Sequence, residues 1–286
     1  MTSHFADTAT DQSFSLVLGA GGARGLAHIP IIEALDELGL KPVAIAGTSI
    51  GSIIGVCYAA GMSGQDIRAF FLDVVARRKA LAGALMTARV GRLKDMRTFG
   101  NPFLIDGEKL LKKYWPDSVP QSFEELDVPI SVVTADFHAR SELVFNTGPL
   151  RPAVAASMAI PGAFQPVEHQ GRILIDGGTI NPLPFDLLRN RAPLTVAVDV
   201  IGGPGEEMNG QPSGFEIVFG ALQLLQGAIV SEKLKVKRPE ILIRPPIDSF
   251  RVLNFFAARK ILEACEPIKD EFKRKIEAHM NLRMSA

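Results

Sequence analysis

The chain has 286 residues, 47% of them apolar and 22% charged, and its 31 basic and 31 acidic side chains leave no net charge. That composition excludes a disordered chain and suits a substantial core, while the charge balance excludes a global pull toward nucleic acid or anionic surfaces. Length alone leaves open one large domain or two small ones.

Residues Met1 to Gln12 are polar, with neither a basic start nor an apolar h-region. They are expected to form a short disordered leader rather than a secretory signal. A single domain is expected over 13–286, with its core in 14–200 and a C-terminal helical extension over 214–286. The first strand is predicted at Phe14 to Leu18, followed by Gly19-Ala20-Gly21-Gly22-Ala23-Arg24-Gly25. A glycine-rich turn between a strand and a helix aims backbone N–H groups at an anion, either a phosphate or a developing oxyanion. Arg24 either clamps this turn through local hydrogen bonds or meets a phosphate. The next helix, Gly25 to Leu38, has apolar residues at Ile29, Ile32, Leu35 and Leu38 and stops at Gly39, a suitable C′ residue.

The second strand, Val43 to Ala46, runs into Gly47-Thr48-Ser49-Ile50-Gly51 and then a small-residue helix up to Gly61. G-x-S-x-G between a strand and a helix is the nucleophile elbow, a sharp turn that thrusts a strained serine out of the fold. The plainer alternative is a serine capping the following helix. A dinucleotide site needs an acidic residue closing this strand, and none is there, so an oxyanion hole is the better use of the glycine turn. From Pro42 to Gln65 no residue is charged, yet five glycines and a proline divide the run. It is expected to be buried core, not a membrane span.

Next come a helix at Gly64 to Arg78 and a basic segment with Arg77, Arg78, Lys79, Arg89, Arg92, Lys94 and Arg97 around the apolar Leu81 to Met86. This 77–97 segment is either a contact for anionic lipid or a solvated helix at the sheet edge. Further helices are predicted at Gly107 to Tyr114, Arg151 to Met158, Pro184 to Asn190, Phe215 to Leu234 and Phe255 to His279, the last broken at Pro267. Phe215, Val218, Phe219, Leu222, Leu225 and Ile229 make Phe215 to Leu234 a core-packing helix. Strands are predicted at Pro129 to Ala135, Leu143 to Asn146, Arg172 to Ile175, Leu194 to Val200 and Glu240 to Ile243. Several are continuous apolar runs, as strands covered on both faces are, and the alternation with helices points to a three-layer α/β domain with a mainly parallel sheet. Gly202 to Gly214 is expected to be a loop or a lid.

At the end of Ile173-Leu174-Ile175 stands Asp176, followed by Gly177 and Gly178. A serine hydroxyl needs a base. His4 lies in the leader, His279 in the polar tail, His138 and His169 in turns, and His28 inside the first helix as a packing residue. Asp176 is therefore the better base, bonded directly to Ser49. Cys57 and Cys265 show no metal or redox spacing, so both thiols are expected to be free in a reducing compartment.

The glycine turn with Arg24-Gly25-Leu26-Ala27-His28, the elbow at Ser49, the block Ala156 to Phe164, and Asp176-Gly177-Gly178 together make the chain resemble the small bacterial patatin-like phospholipases. Ala20 departs from the third consecutive glycine of many members. The resemblance implies a modified α/β-hydrolase sheet, no cofactor or catalytic metal, and hydrolysis of acyl esters of lipids or phospholipids. It also implies a Ser49–Asp176 dyad and an oxyanion hole from the amides around Gly21, Gly22 and Ala23, with Arg24 supporting the loop. A cytoplasmic location, with or without contact at the membrane periphery, is the matching expectation. A lipid-binding or regulatory protein with little catalysis is the alternative.

Overall fold

The computed structural model describes residues 13–77, 104–203 and 214–284. The leader, the basic segment beyond Arg77, and most of the Gly202 to Gly214 stretch lie outside the described residues.

Eight strands form one mixed sheet in the order β5-β6-β3-β2-β1-β7-β8, with β4 on the remaining edge of β3. They are β1 (Phe14–Leu18), β2 (Ala44–Thr48), β3 (Ile130–Asp136), β4 (Ser141–Phe145), β5 (Val167–His169), β6 (Arg172–Asp176), β7 (Leu194–Val198) and β8 (Ile241–Ile243). β3, β2, β1, β7 and β8 run parallel, while β4, β6 and β5 add antiparallel pairings. The helices are α1 (His28–Glu37), α2 (Ile50–Ala59), α3 (Gly64–Ala76), α4 (Gly107–Tyr114), α5 (Leu150–Ser157), α6 (Gly214–Val236), α7 (Ala258–Cys265) and α8 (Ile268–Met284).

The continuous apolar strands are covered on both faces, as expected. Phe14, Leu16 and Leu18 of β1 enter the larger core with α1, α2, α3, α7 and α8, while Val17 faces a smaller core that includes Leu183, Phe185 and Val230. The period-2 geometry of a strand thus feeds two cores from one run. The uncharged stretch from Pro42 becomes β2, the elbow and α2, nearly all of it buried. Gly39 takes the left-handed conformation (φ 66°) that closes α1, and helix breaks at Cys265 and resumes at Ile268 around Pro267. Both cysteines are buried and free.

Three elements differ from expectation. The helix predicted over Pro184 to Asn190 is a single 3-10 turn, Phe185–Leu188. Too few residues are available there to offset helix nucleation, and burial of Leu183, Phe185 and Leu188 fixes the chain instead. The first helix is preceded by a 3-10 segment at Gly22–Ala27. The turn at His169 is the end of a short strand, β5; Gln170 (φ 50°) and Gly171 (φ 75°) make the two-residue reversal into β6.

One buried ionic cluster ties three helices together. Glu33 of α1 accepts from Arg68 Nε and Nη2 of α3 at 2.6 and 2.7 Å, and from Lys269 of α8 at 3.2 Å. Arg68 is partly exposed and Lys269 stays beside Glu33 when it is removed, so the loss is that of two charge-assisted hydrogen bonds and not of a stranded charge. Arg68→Ala is therefore expected to lower stability in urea by about 1–2 kcal/mol, with activity per folded molecule unchanged. An unaltered unfolding midpoint contradicts this assignment.

Candidate active site

Sheet register brings the two predicted residues together. β4 occupies one edge of β3 from Val132 to Asp136, so β2 and β6 must share the other. β2 runs parallel to β3 and ends with Thr48 opposite Val133; β6 runs antiparallel and ends with Asp176 opposite Thr134. The carboxyl ends of two strands therefore meet head-on. Ser49, the next residue after β2, donates its hydroxyl to Asp176 Oδ2 at 2.6 Å across 127 positions of sequence.

Ser49 has φ 55° and ψ −122°, a sparsely populated conformation for a side chain with a Cβ. Holding it costs on the order of 1–3 kcal/mol, which the surroundings must offset. A Cβ on Gly47 would stand 2.6 Å from the Gly51 oxygen, and one on Gly51 only 2.1 Å from the Leu18 oxygen, so neither site accepts a larger residue. The Ser49 N–H donates to Ser157 Oγ (2.9 Å), whose own hydroxyl donates to the Val133 oxygen (2.7 Å). Thr48 Oγ1 donates to the Asn181 oxygen at 2.9 Å. The Ser49 side chain makes no capping bond to α2. The capping alternative is thereby set aside.

Asp176 is 4% exposed. Burial pushes its carboxyl up to about 6, against the opposing pull of bonds from Ser49 and from the Gly178 N–H, which reaches Oδ1 at 2.6 Å. None of the histidines among the described residues lines this cavity. His28 packs beneath the glycine turn, its Nε2 at 2.9 Å from the Gly19 oxygen, and burial pushes it down to about 4, so the ring is neutral and Nε2 is the donor.

The glycine turn is held by bonds that also decide which amides stay available. Ala20 N–H donates to the Pro182 oxygen at 2.8 Å, and Ala23 N–H to the Val252 oxygen at 2.6 Å. Ala23, expected among the anion donors, is thus committed elsewhere because the 248–252 loop crosses it. The N–H groups of Gly21 and Gly22 have no acceptor among the described residues, and both glycines border the cavity of about 40 Å³ that holds Ser49 and Asp176. Arg24 is a clamp. Its Nε donates to the Phe250 oxygen (2.6 Å), Nη1 to the Ile201 oxygen (2.5 Å) and Nη2 toward the Asp248 oxygen (3.4 Å). Burial lowers its pKa while Asp248 acts in the opposite sense.

Ile160 and Pro161 from the Ala156 to Phe164 block, Thr179, Val252, and Phe219, Leu222, Gln223 and Gln226 of α6 complete the cavity. Sequence reasoning gave no role to Ser157 or to the two glutamines. The glutamines are detectable as the polar pair in the otherwise apolar stretch Ile217 to Val230; Ser157 has no signal beyond its place in the block. Behind the elbow lies a second, apolar cavity of about 230 Å³, bordered by Ile50, Ile53, Val56, Phe70, Met158 and Leu253 among others.

Comparison with known proteins gives the family and the fold. The sequence model of the family described as Patatin-like phospholipase matches residues 16–189. The chain belongs to that family. It is 38% identical over 197 residues to an uncharacterized NTE family protein of Mycobacterium tuberculosis, covering 68% of this chain and 51% of that one. It is 27% identical over 267 residues to Lysophospholipase NTE1 of Saccharomyces cerevisiae, covering 85% of this chain and 15% of the relative. The chain thus spans about half the length of the mycobacterial relative and a small part of the yeast one. In fold it is similar to VipD from Legionella pneumophila, with a TM-score of 0.54 at 16% identity, over 95% of this chain and 68% of that one.

The Arg24 clamp is separable from the reacting atoms. Arg24→Lys keeps a charge but cannot reach three carbonyls in a fixed fork. Loss of about 10-fold or more in kcat, together with a lower melting temperature, is expected. Wild-type kcat in this variant would show that the clamp does not position the turn.

Proposed function

We propose that the protein is a serine hydrolase of carboxylic acyl esters of lipids, of phospholipase A, lysophospholipase or esterase type, working through Ser49 and Asp176. The observation that carries this is the 2.6 Å bond between Ser49 Oγ and a buried carboxylate, beside two amides with no acceptor among the described residues. Family membership supports the lipid ester as substrate class.

In the proposed reaction, Ser49 Oγ attacks the ester carbonyl carbon as its proton passes to Asp176. The carbonyl oxygen, now an oxyanion, is received by the Gly21 and Gly22 N–H groups, each worth about 3–4 kcal/mol in comparable sites. Collapse breaks the bond to the leaving alcohol, which takes the proton from Asp176, and leaves an acyl ester on Ser49. Water then gives its proton to Asp176 while attacking that ester, and the second collapse releases the fatty acid and returns the proton to Ser49. A carboxylate of ordinary pKa is a poor base for an alcohol; one raised to about 6 is nearer the value that serves proton transfer at neutral pH. The 230 Å³ apolar cavity behind Ile50 suits the acyl chain.

Ser49→Ala and Asp176→Asn are each expected to reduce hydrolysis of p-nitrophenyl esters by at least about 10³-fold while circular dichroism stays native. Turnover preserved in either variant removes the dyad. In the wild type, kcat/KM should rise with pH through about 6, because only the ionised carboxylate accepts the proton. The stability term has the opposite sign. The folded-state pKa lies above the unfolded one, so Asp176 stabilises the fold fully below its unfolded pKa and loses this contribution as pH rises through about 6. Asp176→Asn should lack that fall in melting temperature, and an identical pH dependence in variant and wild type refutes the linkage.

A further inference from the structure

Helix α6 is inside out. Between Ile217 and Val230 its exposed positions are Ile217, Val218, Ala221, Leu224, Leu225 and Ala228, and every one is apolar. Leu224 is 77% and Leu225 62% exposed. The polar residues of the same stretch point the other way: Gln223 and Gln226 border the cavity of Ser49 and Asp176. No charge occurs from Ile217 to Ser231. Val218 and Leu225, expected in the core, face outward because Val230 and Leu234 fix the helix rotation against the smaller core. A helix that meets only water carries its polar face outward.

We infer that the outward face of α6 docks on a lipid surface, placing the Ser49 cavity against the phase that supplies its substrate. The inference rests on the lipid ester proposed above as substrate. Three observations favour lipid as the occupant. The same helix that exposes these side chains walls the cavity with its inner face, so the apolar exterior is continuous with the site. Val252 also borders the cavity, and its neighbour Leu253 is 37% exposed. Just past the apolar stretch the chain presents exposed Lys237 and Arg238, suited to headgroup phosphates, while Lys235 pairs with Glu232 at 2.6 Å. The helix lies on the surface and does not cross it. The uncharged stretch is about 22 Å long at 1.5 Å per residue, short of the roughly 30 Å hydrocarbon layer. Its inner side is anchored by Lys233, which binds Asp186 and donates to the Leu183 oxygen at 2.9 Å. An amphipathic helix held in this way is an interfacial element.

The test uses the full chain and phosphatidylcholine vesicles. The wild type should float with the vesicles, and Leu224→Glu/Leu225→Glu should bind them at least tenfold more weakly. That variant should hydrolyse vesicle phospholipid correspondingly more slowly, yet keep its melting temperature and its kcat on monomeric p-nitrophenyl butyrate. If the glutamate pair misfolds, Leu224→Ser/Leu225→Ser serves in its place. Unchanged vesicle binding by a folded variant overturns the inference, as does a wild type that ignores vesicles. A wild-type dimer that the substitutions split, without vesicle binding, assigns the face to a second copy and overturns it too. Ser49→Ala keeps the two proposals apart: it should bind vesicles like the wild type while losing hydrolysis of the monomeric ester.

Discussion

The site depends on the collision of two strand ends on one edge of β3. With β4 on the far edge, β2 and β6 must abut, and abutting antiparallel to each other they present their carboxyl ends at Val133 and Thr134. A parallel strand that ends in an elbow delivers a hydroxyl; an antiparallel strand ending in aspartate delivers a carboxylate to the same point. Neither side chain has to reach. This placement also explains why the sheet is mixed, since a wholly parallel arrangement would put Asp176 at a position lateral to Ser49 and not opposite its end.

That junction carries two local costs, the left-handed Ser49 backbone and a carboxylate removed from water. Both are borne by the surrounding core, and the second is useful. Desolvation that raises Asp176 also strengthens every interaction made by the amides of Gly21 and Gly22, because field strength grows as water is excluded. Ser157 links the costs structurally, by accepting from Ser49 N–H and donating to the Val133 oxygen at the point where the strands meet. Removing it strands two buried backbone groups at once.

Much of this was legible in the sequence because local pattern and global fold agree. An apolar run ending in Gly-Thr-Ser-Ile-Gly, and another ending in Asp-Gly-Gly, announce strand-end chemistry, and the glycine turn announces amides facing an anion. The assignment of Ala23 was not recoverable, since its N–H is taken by Val252, 229 positions away. Arg24 was left open between two uses for the same reason: the carbonyls of Ile201, Asp248 and Phe250 that consume its guanidinium come from distant loops. The 3-10 turn at Phe185–Leu188 was mistaken for a helix because four residues carry no period. The facing of α6 failed differently. Apolar residues occur all round it, so spacing cannot select the buried side, and only the positions of Gln223 and Gln226 distinguish the two faces.

Those glutamines connect the interior of the site to its exterior. A cavity that must bind a polar ester group and receive a developing charge needs hydrogen-bonding side chains in its wall, which a core helix would exclude. Supplying them from α6 turns its polar residues inward and leaves only apolar ones to face outward. The apolar exterior is then the geometric counterpart of a polar cavity wall supplied by the same helix. In the docking proposed above, a lipid surface relieves both conditions, since the face that water disfavours becomes the one that holds the chain where its proposed substrate lies.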